Sequence, residues 1–225
     1  MVADELIAVR KRMIAAAERA GRDPQGVTLV AVSKGSDAAT VLRAYEAGQR
    51  DFGENRAAEL AAKAPQLPAD IRWHFIGTLQ SRQAKIALPH TTILHSLDRS
   101  RLVAAWGRDP NPPAALLQIN LSGEQQKHGV APGAARQLLE EATERGIRCI
   151  GLMTMAPLAP NPEASRRWFS ALRRLRDQLS MDYPGLEQLS MGMTDDFEVA
   201  IEEGATLIRV GRAIFGPPGA PALSD

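Results

Sequence analysis

The stretch VTLVAVSKGSDAATVLRAYEAG, residues 27–48, decides the fold. Residues 27–33 are apolar or small almost throughout, the pattern of a short strand buried on both faces. Ser33, Lys34 and Gly35 interrupt the run, and a helical pattern follows from Ser36 to Gly48. The same strand-then-helix unit recurs along the chain. Further strands are read at 51–53, 71–77, 92–97, 115–122, 147–154, 187–192 and 206–211. Helical patterns between them include ENRAAELAAKA, SRLVAAWG, GAARQLLEEATERG, PEASRRWFSALRRLRDQL and DDFEVAIEEG. Strands alternating with helices imply parallel pairing. Eight such units in 225 residues predict an α/β fold closed as a (β/α)8 TIM-type barrel. The count includes a second strand of three residues and a last helix of one turn, RAIFG. A leading helix over 4–20 is an addition to that plan, marked by Leu6, Ile7, Met13 and Ile14 at helical spacing. The domain reading is one barrel over 1–216, with the Pro/Gly/Ala-rich segment 217–225 as a flexible tail.

Composition narrows the function. A net charge of +1 argues against nucleic acid or an anionic membrane as partner, since both require concentrated Lys and Arg. Arg166, Arg167, Arg173, Arg174 and Arg176 cluster at helical spacing without interleaved aromatics and read as a solvated helix face. Cys149 is the single cysteine, so no disulfide within the chain and no cysteine cage for a metal can form. It lies in the apolar run IRCIGLM and reads as a small buried hydrophobe. The leading segment carries acids as well as bases and lacks the apolar centre of a signal peptide. No run approaches the roughly 18 apolar residues of a membrane span. The expectation is a cytoplasmic protein.

In such barrels the chemistry sits on the loops that follow the strands. The first strand ends in Ser33-Lys34-Gly35, the second in Gly53-Glu54-Asn55, the seventh in SMGMTDD and the eighth in RVGRAIFG. Phosphate sites favour the loops after strands seven and eight and a short helix behind them. Gly192 and Gly211 leave backbone N–H groups open to close approach, Thr194 adds a hydroxyl, and RAIFG supplies a helix start. A phosphate-bearing ligand follows. Lys34 at the mouth of an apolar barrel loses solvation, which favours its neutral, nucleophilic form. Taken with strand one alone, it can equally be a lysine that reaches solvent. Facing a phosphate site, it suits a phosphorylated aldehyde, for which pyridoxal 5′-phosphate held as a lysine Schiff base is the obvious candidate.

The segments VAVSKG, FGEN, WHFIGTLQSRQAK, LLQINLSGEQQKHGV, GLMTMAP and LSMGMTDDFEVAIEEGATLIRVGRAIFG follow one another along the chain. Together they resemble the pyridoxal phosphate homeostasis proteins, single-domain relatives of the alanine racemase barrel. The resemblance implies a barrel without the C-terminal β-domain of alanine racemases, holding pyridoxal phosphate on Lys34. It implies a monomer that buffers or delivers the cofactor, transiently meeting cofactor-free enzymes, without established turnover. Residue by residue, it puts Asn55 by the ring and its 3-oxygen, and His74 in the pocket lining. Thr194, Gly211 and the backbone of Arg212 fall to the phosphate, Arg209 to the pyridine nitrogen, and Ser190 beside it. Lys127 matches a family lysine that can act as a second acceptor during transfer. The chain departs from the family at Gly35-Ser36-Asp37, where many members carry Thr or Pro, and at Arg212, where many carry Thr or Ser.

Other polar residues read more plainly. Arg209 alternates with Leu207 and Ile208 and is expected to face the barrel mouth, where burial demands a partner. Asp195 and Glu198 have the spacing of a capping box. Glu54 and Glu59 read as decorations of a helix start. His74, His90, His95 and His128 lack metal-ligand spacing, so no metal is expected. An amino-acid racemase or lyase using the same cofactor is the alternative. Two-base racemisation needs a second group opposite the lysine, usually a tyrosine, and neither Tyr45 nor Tyr183 belongs at the mouth. A cofactor-free aldolase, whose lysine usually lies on a later strand, is the third reading.

Overall fold

Eight strands of three to five residues pair in sequence order, all parallel, and the eighth closes on the first. In this computed structural model, which describes residues 2–124 and 128–217, they are β1 (Thr28–Val32), β2 (Asp51–Glu54), β3 (Arg72–Phe75), β4 (Ile93–Leu97), β5 (Ala114–Gln118), β6 (Cys149–Met153), β7 (Gln188–Ser190) and β8 (Leu207–Val210). The closing pair is in full register, Thr28 with Leu207 through Ala31 with Val210. Every expected strand is present, and the second extends one residue further, to Glu54. Lys127 lies outside the described residues, as does all of the expected tail except Pro217.

The helices are α1 (Val2–Arg19), α2 (Ala38–Glu46), α3 (Ala57–Lys63), α4 (Ala84–Ala87), α5 (Ser100–Trp106), α6 (Ala135–Glu144), α7 (Arg166–Ser180), α8 (Phe197–Glu202) and α9 (Arg212–Phe215). After β1 the chain turns at Lys34 and Gly35, and Asp37 starts α2 by accepting the Thr40 N–H at 2.8 Å. Such a cap stabilises a helix by about 1 kcal/mol. The leading helix α1 lies across α8 and is fixed to it by Arg12–Glu198 and Arg19–Glu202 pairs, while Arg22 donates to the Ile201 carbonyl. The α7 arginines are not simply solvated. Arg166 binds Glu163, Glu202 and Glu203, and Arg173 pairs with Glu203, so this face is ionically joined to the end of α8.

Two apolar cores result. The larger lies between strands and helices and holds Phe52, Phe75, Trp106, Phe169 and Phe197. The smaller fills the inside of the barrel with Val30, Leu116, Met153 and Leu207. This inner plug is small because much of the remaining interior is polar, as described below. Leu116 is wholly buried in it. Leu116→Ala should therefore destabilise the protein by about 2–5 kcal/mol, measured by urea unfolding; an unchanged midpoint would contradict a packed interior.

Candidate functional site

Closure brings distant strand ends together. Ala31 pairs with Val210 and Val32 with Gly53, so the β1–α2 turn is flanked by the segment after β8 and the segment after β2. Lys34, Asn55 and Gly211–Arg212 thereby share one sector of the rim at the C-terminal ends of the strands. Lys34 is exposed there, and no hydrogen bond or ion pair engages its amine among the described residues. Asn55 is half-buried, and its backbone is pressed against Gly77 after β3. A Cβ at Gly77 would fall 2.2 Å from the Asn55 carbonyl oxygen, so that approach requires glycine.

The residue before Lys34 and the residue before Asn55 are joined behind the rim. The Ser33 hydroxyl donates to Glu54 Oε1 at 2.7 Å, and the Lys63 ammonium of α3 binds that same oxygen and, at 3.0 Å, the Ser33 carbonyl. Glu54 is wholly buried, which corrects its reading as an exposed decoration of a helix start. Its other oxygen, Oε2, has no partner among the described residues. Glu59 does lie in the first turn of α3, where it binds Arg56.

Beyond β8 on the same side of the rim, Gly192 follows β7 with φ +89°, and a Cβ there would lie 2.5 Å from the Ala200 Cβ of α8. The left-handed turn and the close helix both demand glycine. Half-buried Thr194 follows. Asp196, not Asp195, is the N-cap of α8, and its carboxylate accepts from the Met193 N–H at 2.8 Å and the Ser165 hydroxyl at 2.9 Å. The expected capping box is absent. Asp195 instead pairs with Arg212, and Glu198 with Arg12, because the helix begins one residue later than the spacing implied. Gly211 is the N-cap of α9, with no side chain closing the helix start. The first amides of a helix have no intrahelical acceptor, so these face outward. The Arg212 guanidinium is turned to exposed Asp195, leaving its backbone amide as the group at the helix start.

Arg209 points into the barrel. It is 4% exposed, donating to the Ser190 hydroxyl at 2.5 Å and to the Thr154 carbonyl at 2.9 Å. Burial pushes its pKa down to about 10, with Asp196 opposing the shift. Its two acceptors are neutral. Ser190 in turn meets His95 Nδ1 at 2.9 Å, His95 Nε2 meets His74 Nδ1 at 2.8 Å, and His74 Nε2 meets Asp51 Oδ1 at 3.1 Å. The bond between β4 and β7 joins strands that are not neighbours, so it crosses the interior. Both ring nitrogens of His74 are thus engaged below the rim. Burial opposes ionisation of Asp51, but hydrogen bonds from His74 and Arg72 outweigh it and hold the carboxyl below its ordinary range. Burial first, then His74 and Arg209, holds His95 well below the usual histidine value. The sequence offered no signal for His95 or Asp51, whose partners are far away along the chain. Cys149 is partly buried in β6, and desolvation pushes its thiol up to about 12, which removes it as a nucleophile at neutral pH.

The class follows from fold and comparison together. The family model described as "Alanine racemase, N-terminal domain" matches residues 5–218. Alanine racemase from Corynebacterium glutamicum has the same fold, with a TM-score of 0.70 at 17% identity over 97% of this chain and 62% of that one. The chain belongs to the pyridoxal phosphate homeostasis protein family. Members from Pseudomonas aeruginosa and Aquifex aeolicus are 42% and 39% identical, covering 98% and 95% of this chain and 98% and 96% of theirs. PipY of Synechococcus elongatus, solved with PLP bound, superposes with a TM-score of 0.82 at 35% identity, covering 96% of this chain and all of that one. Among the described residues, no helix is long and apolar enough to cross a membrane.

Two outcomes test the site's framework. Lys63→Met leaves Glu54 as a buried, unpaired carboxylate and should lower stability by about 3–5 kcal/mol; a loss under about 1 kcal/mol in urea unfolding is what a solvent-screened pair would give. The depressed His95 pKa sets a pH dependence. Below its ordinary value of 6.5 the unfolded chain takes up a proton that the folded chain refuses, so stability must fall on acidification from that pH. The thermal midpoint of the wild type should drop more steeply than that of His95→Gln as pH falls below 6.5; a midpoint that rises would contradict a buried neutral ring.

Proposed function

We propose that this protein binds pyridoxal 5′-phosphate covalently on Lys34 and serves to hold and deliver it within the cytoplasm. The observation that carries the reading is the convergence, through the β8–β1 closure, of an exposed lysine unpaired among the described residues and an uncapped helix start. Arg209, buried with only neutral acceptors, adds a cation that a heteroaromatic nitrogen can meet. These groups fit the cofactor's aldehyde, phosphate and ring nitrogen. The PLP-bound PipY structure and the names of the relatives support the same ligand.

When bound, the cofactor supplies an electrophilic aldehyde carbon and an aromatic ring able to withdraw electrons. In this reading Lys34 provides the amine that bonds to that carbon, and the Ser33–Glu54–Lys63 cluster holds the turn carrying it. The amides of Gly211 and Arg212 and the Thr194 hydroxyl hold the phosphate. Asn55 meets the 3-oxygen from the adjacent strand end. Arg209 donates to the pyridine nitrogen while Ser190 fixes its orientation, and His74 supports the pocket from below. A permanently charged donor disfavours protonation of that nitrogen and weakens the ring as an electron sink.

The role is storage and transfer rather than turnover. Two-base racemisation needs a second acid–base group opposite the lysine. Tyr45 is in the last turn of α2, bonded to Asp70 ahead of β3, and Tyr183 lies ahead of β7, its hydroxyl facing Glu140. Both tyrosines belong to segments that enter strands, at the end of the barrel away from Lys34. Transient contact with cofactor-free enzymes and a monomeric state complete the reading. Borohydride reduction of the loaded protein should leave a pyridoxyl phosphate label on the Lys34 peptide, and single-enantiomer amino acids should stay optically pure during incubation. A label on another lysine would refute the attachment, and racemisation abolished by Lys34→Ala would refute the carrier role.

A further inference from the structure

A buried guanidinium needs a counter-charge, yet among the described residues Arg209 hydrogen-bonds only a hydroxyl and a carbonyl. Asp196 acts on it through space, while its hydrogen-bonded link to an anion runs through side chains. We propose that Asp51, at the opposite end of the barrel, is the remote counter-ion and positioning residue of Arg209, acting through His74, His95 and Ser190 as a hydrogen-bond chain with one fixed direction.

The direction follows from counting protons. An ionised carboxylate only accepts, so His74 Nε2 carries the proton in its 3.1 Å contact with Asp51. A neutral ring then has a bare Nδ1, which must accept, and His95 Nε2 donates to it across 2.8 Å. His95 Nδ1 is left bare in turn and accepts the Ser190 hydroxyl proton across 2.9 Å. The Ser190 oxygen therefore turns a lone pair to Arg209, which donates to it at 2.5 Å. Every link carries one proton and every donor points toward Asp51. Aligned dipoles of this kind place partial negative charge at the Arg209 end, and the dry surroundings leave it little screened. His74, His95, Ser190 and Arg209 are all buried.

The charged groups around the chain agree with this polarity. On β2 Asp51 is the chain's acceptor; on β3 Arg72 grips the same carboxylate from the exposed side. Arg10 and Arg50 line the pocket of about 330 Å³ below it with Arg72, so this end of the barrel favours an ionised Asp51. At the other end Asp196 acts on Arg209 from the β7–α8 turn. With His74 neutral, a chain running the other way would have His95 Nδ1 donate to Ser190 and leave His74 Nε2 facing Asp51 without a proton, lone pair against lone pair. The chain itself does not depend on any ligand. Its consequence for the cofactor rests on the reading above that Arg209 faces the pyridine nitrogen; His74 then serves the site through Arg209.

Ring-¹⁵N-labelled histidine, read by long-range ¹H–¹⁵N correlation in the unliganded protein, reports which nitrogen of each ring holds the proton. His74 and His95 should both be Nε2–H; a proton on Nδ1 of either ring overturns the proposal without needing a variant. In Asp51→Ala, Arg72 becomes the group facing His74 Nε2 and can only donate, so both rings should switch to Nδ1–H. Pyridoxal phosphate affinity of that variant should fall roughly tenfold, the low end of what outer partners of ligating histidines contribute. Arg72→Gln breaks the ion pair but leaves the chain intact, and should leave tautomers and affinity at wild-type values. Equal losses in the two variants, or unchanged tautomers in folded Asp51→Ala, overturn the proposal. Failure of the wild type to bind the cofactor at all would instead sink the functional reading, with the tautomers untouched.

Discussion

The pairing of β8 with β1 is the constraint on which everything else rests. It joins residues at opposite ends of the chain and turns a row of eight strand ends into a ring. Without it Lys34 would sit at one edge of a sheet and Gly211 at the other. With it, a lysine and an open helix start stand on neighbouring strands. The ring also buries the side chains that point inward, so the polar ones among them must satisfy one another.

That second requirement shapes the inside of the barrel. One part is an ordinary apolar plug of Val30, Leu116, Met153 and Leu207. The other is a line of polar groups from Arg209 to Asp51, each using the next. A wholly apolar interior would be easier to stabilise, because buried charges repay desolvation only when well partnered. The polar line is retained where it supports a cation below the rim. A similar logic operates outside the strands, where Glu54 and Lys63 form a buried pair whose only visible effect is to fix the backbone beside Lys34 and Asn55.

The fold was legible because its signals are local. Short apolar runs alternating with helical periods suffice to count eight units, and even the weak second strand was placed within one residue. The connection after β3 was the exception: α4 is four residues long between 3-10 turns, too short for an apolar period to register. Site residues at strand ends were legible for the same reason, since a barrel uses those positions for chemistry. Partnerships were not. Glu54 read as exposed because carboxylates usually are, and Lys63 lies nine residues away, a spacing with no meaning within a helix or a strand. His95 meets Ser190 across 95 residues of sequence and only through closure. The capping box failed by a single residue, enough to send Asp195 to Arg212 and Glu198 to α1.

The central claim is that one amine on the rim captures one cofactor. Titrating the protein with pyridoxal 5′-phosphate while recording its absorption spectrum tests this directly. The account predicts that the wild type develops the long-wavelength band that marks covalent attachment to an amine, saturating at one cofactor per chain, and that Lys34→Ala does not. The same band at the same stoichiometry in Lys34→Ala would contradict it.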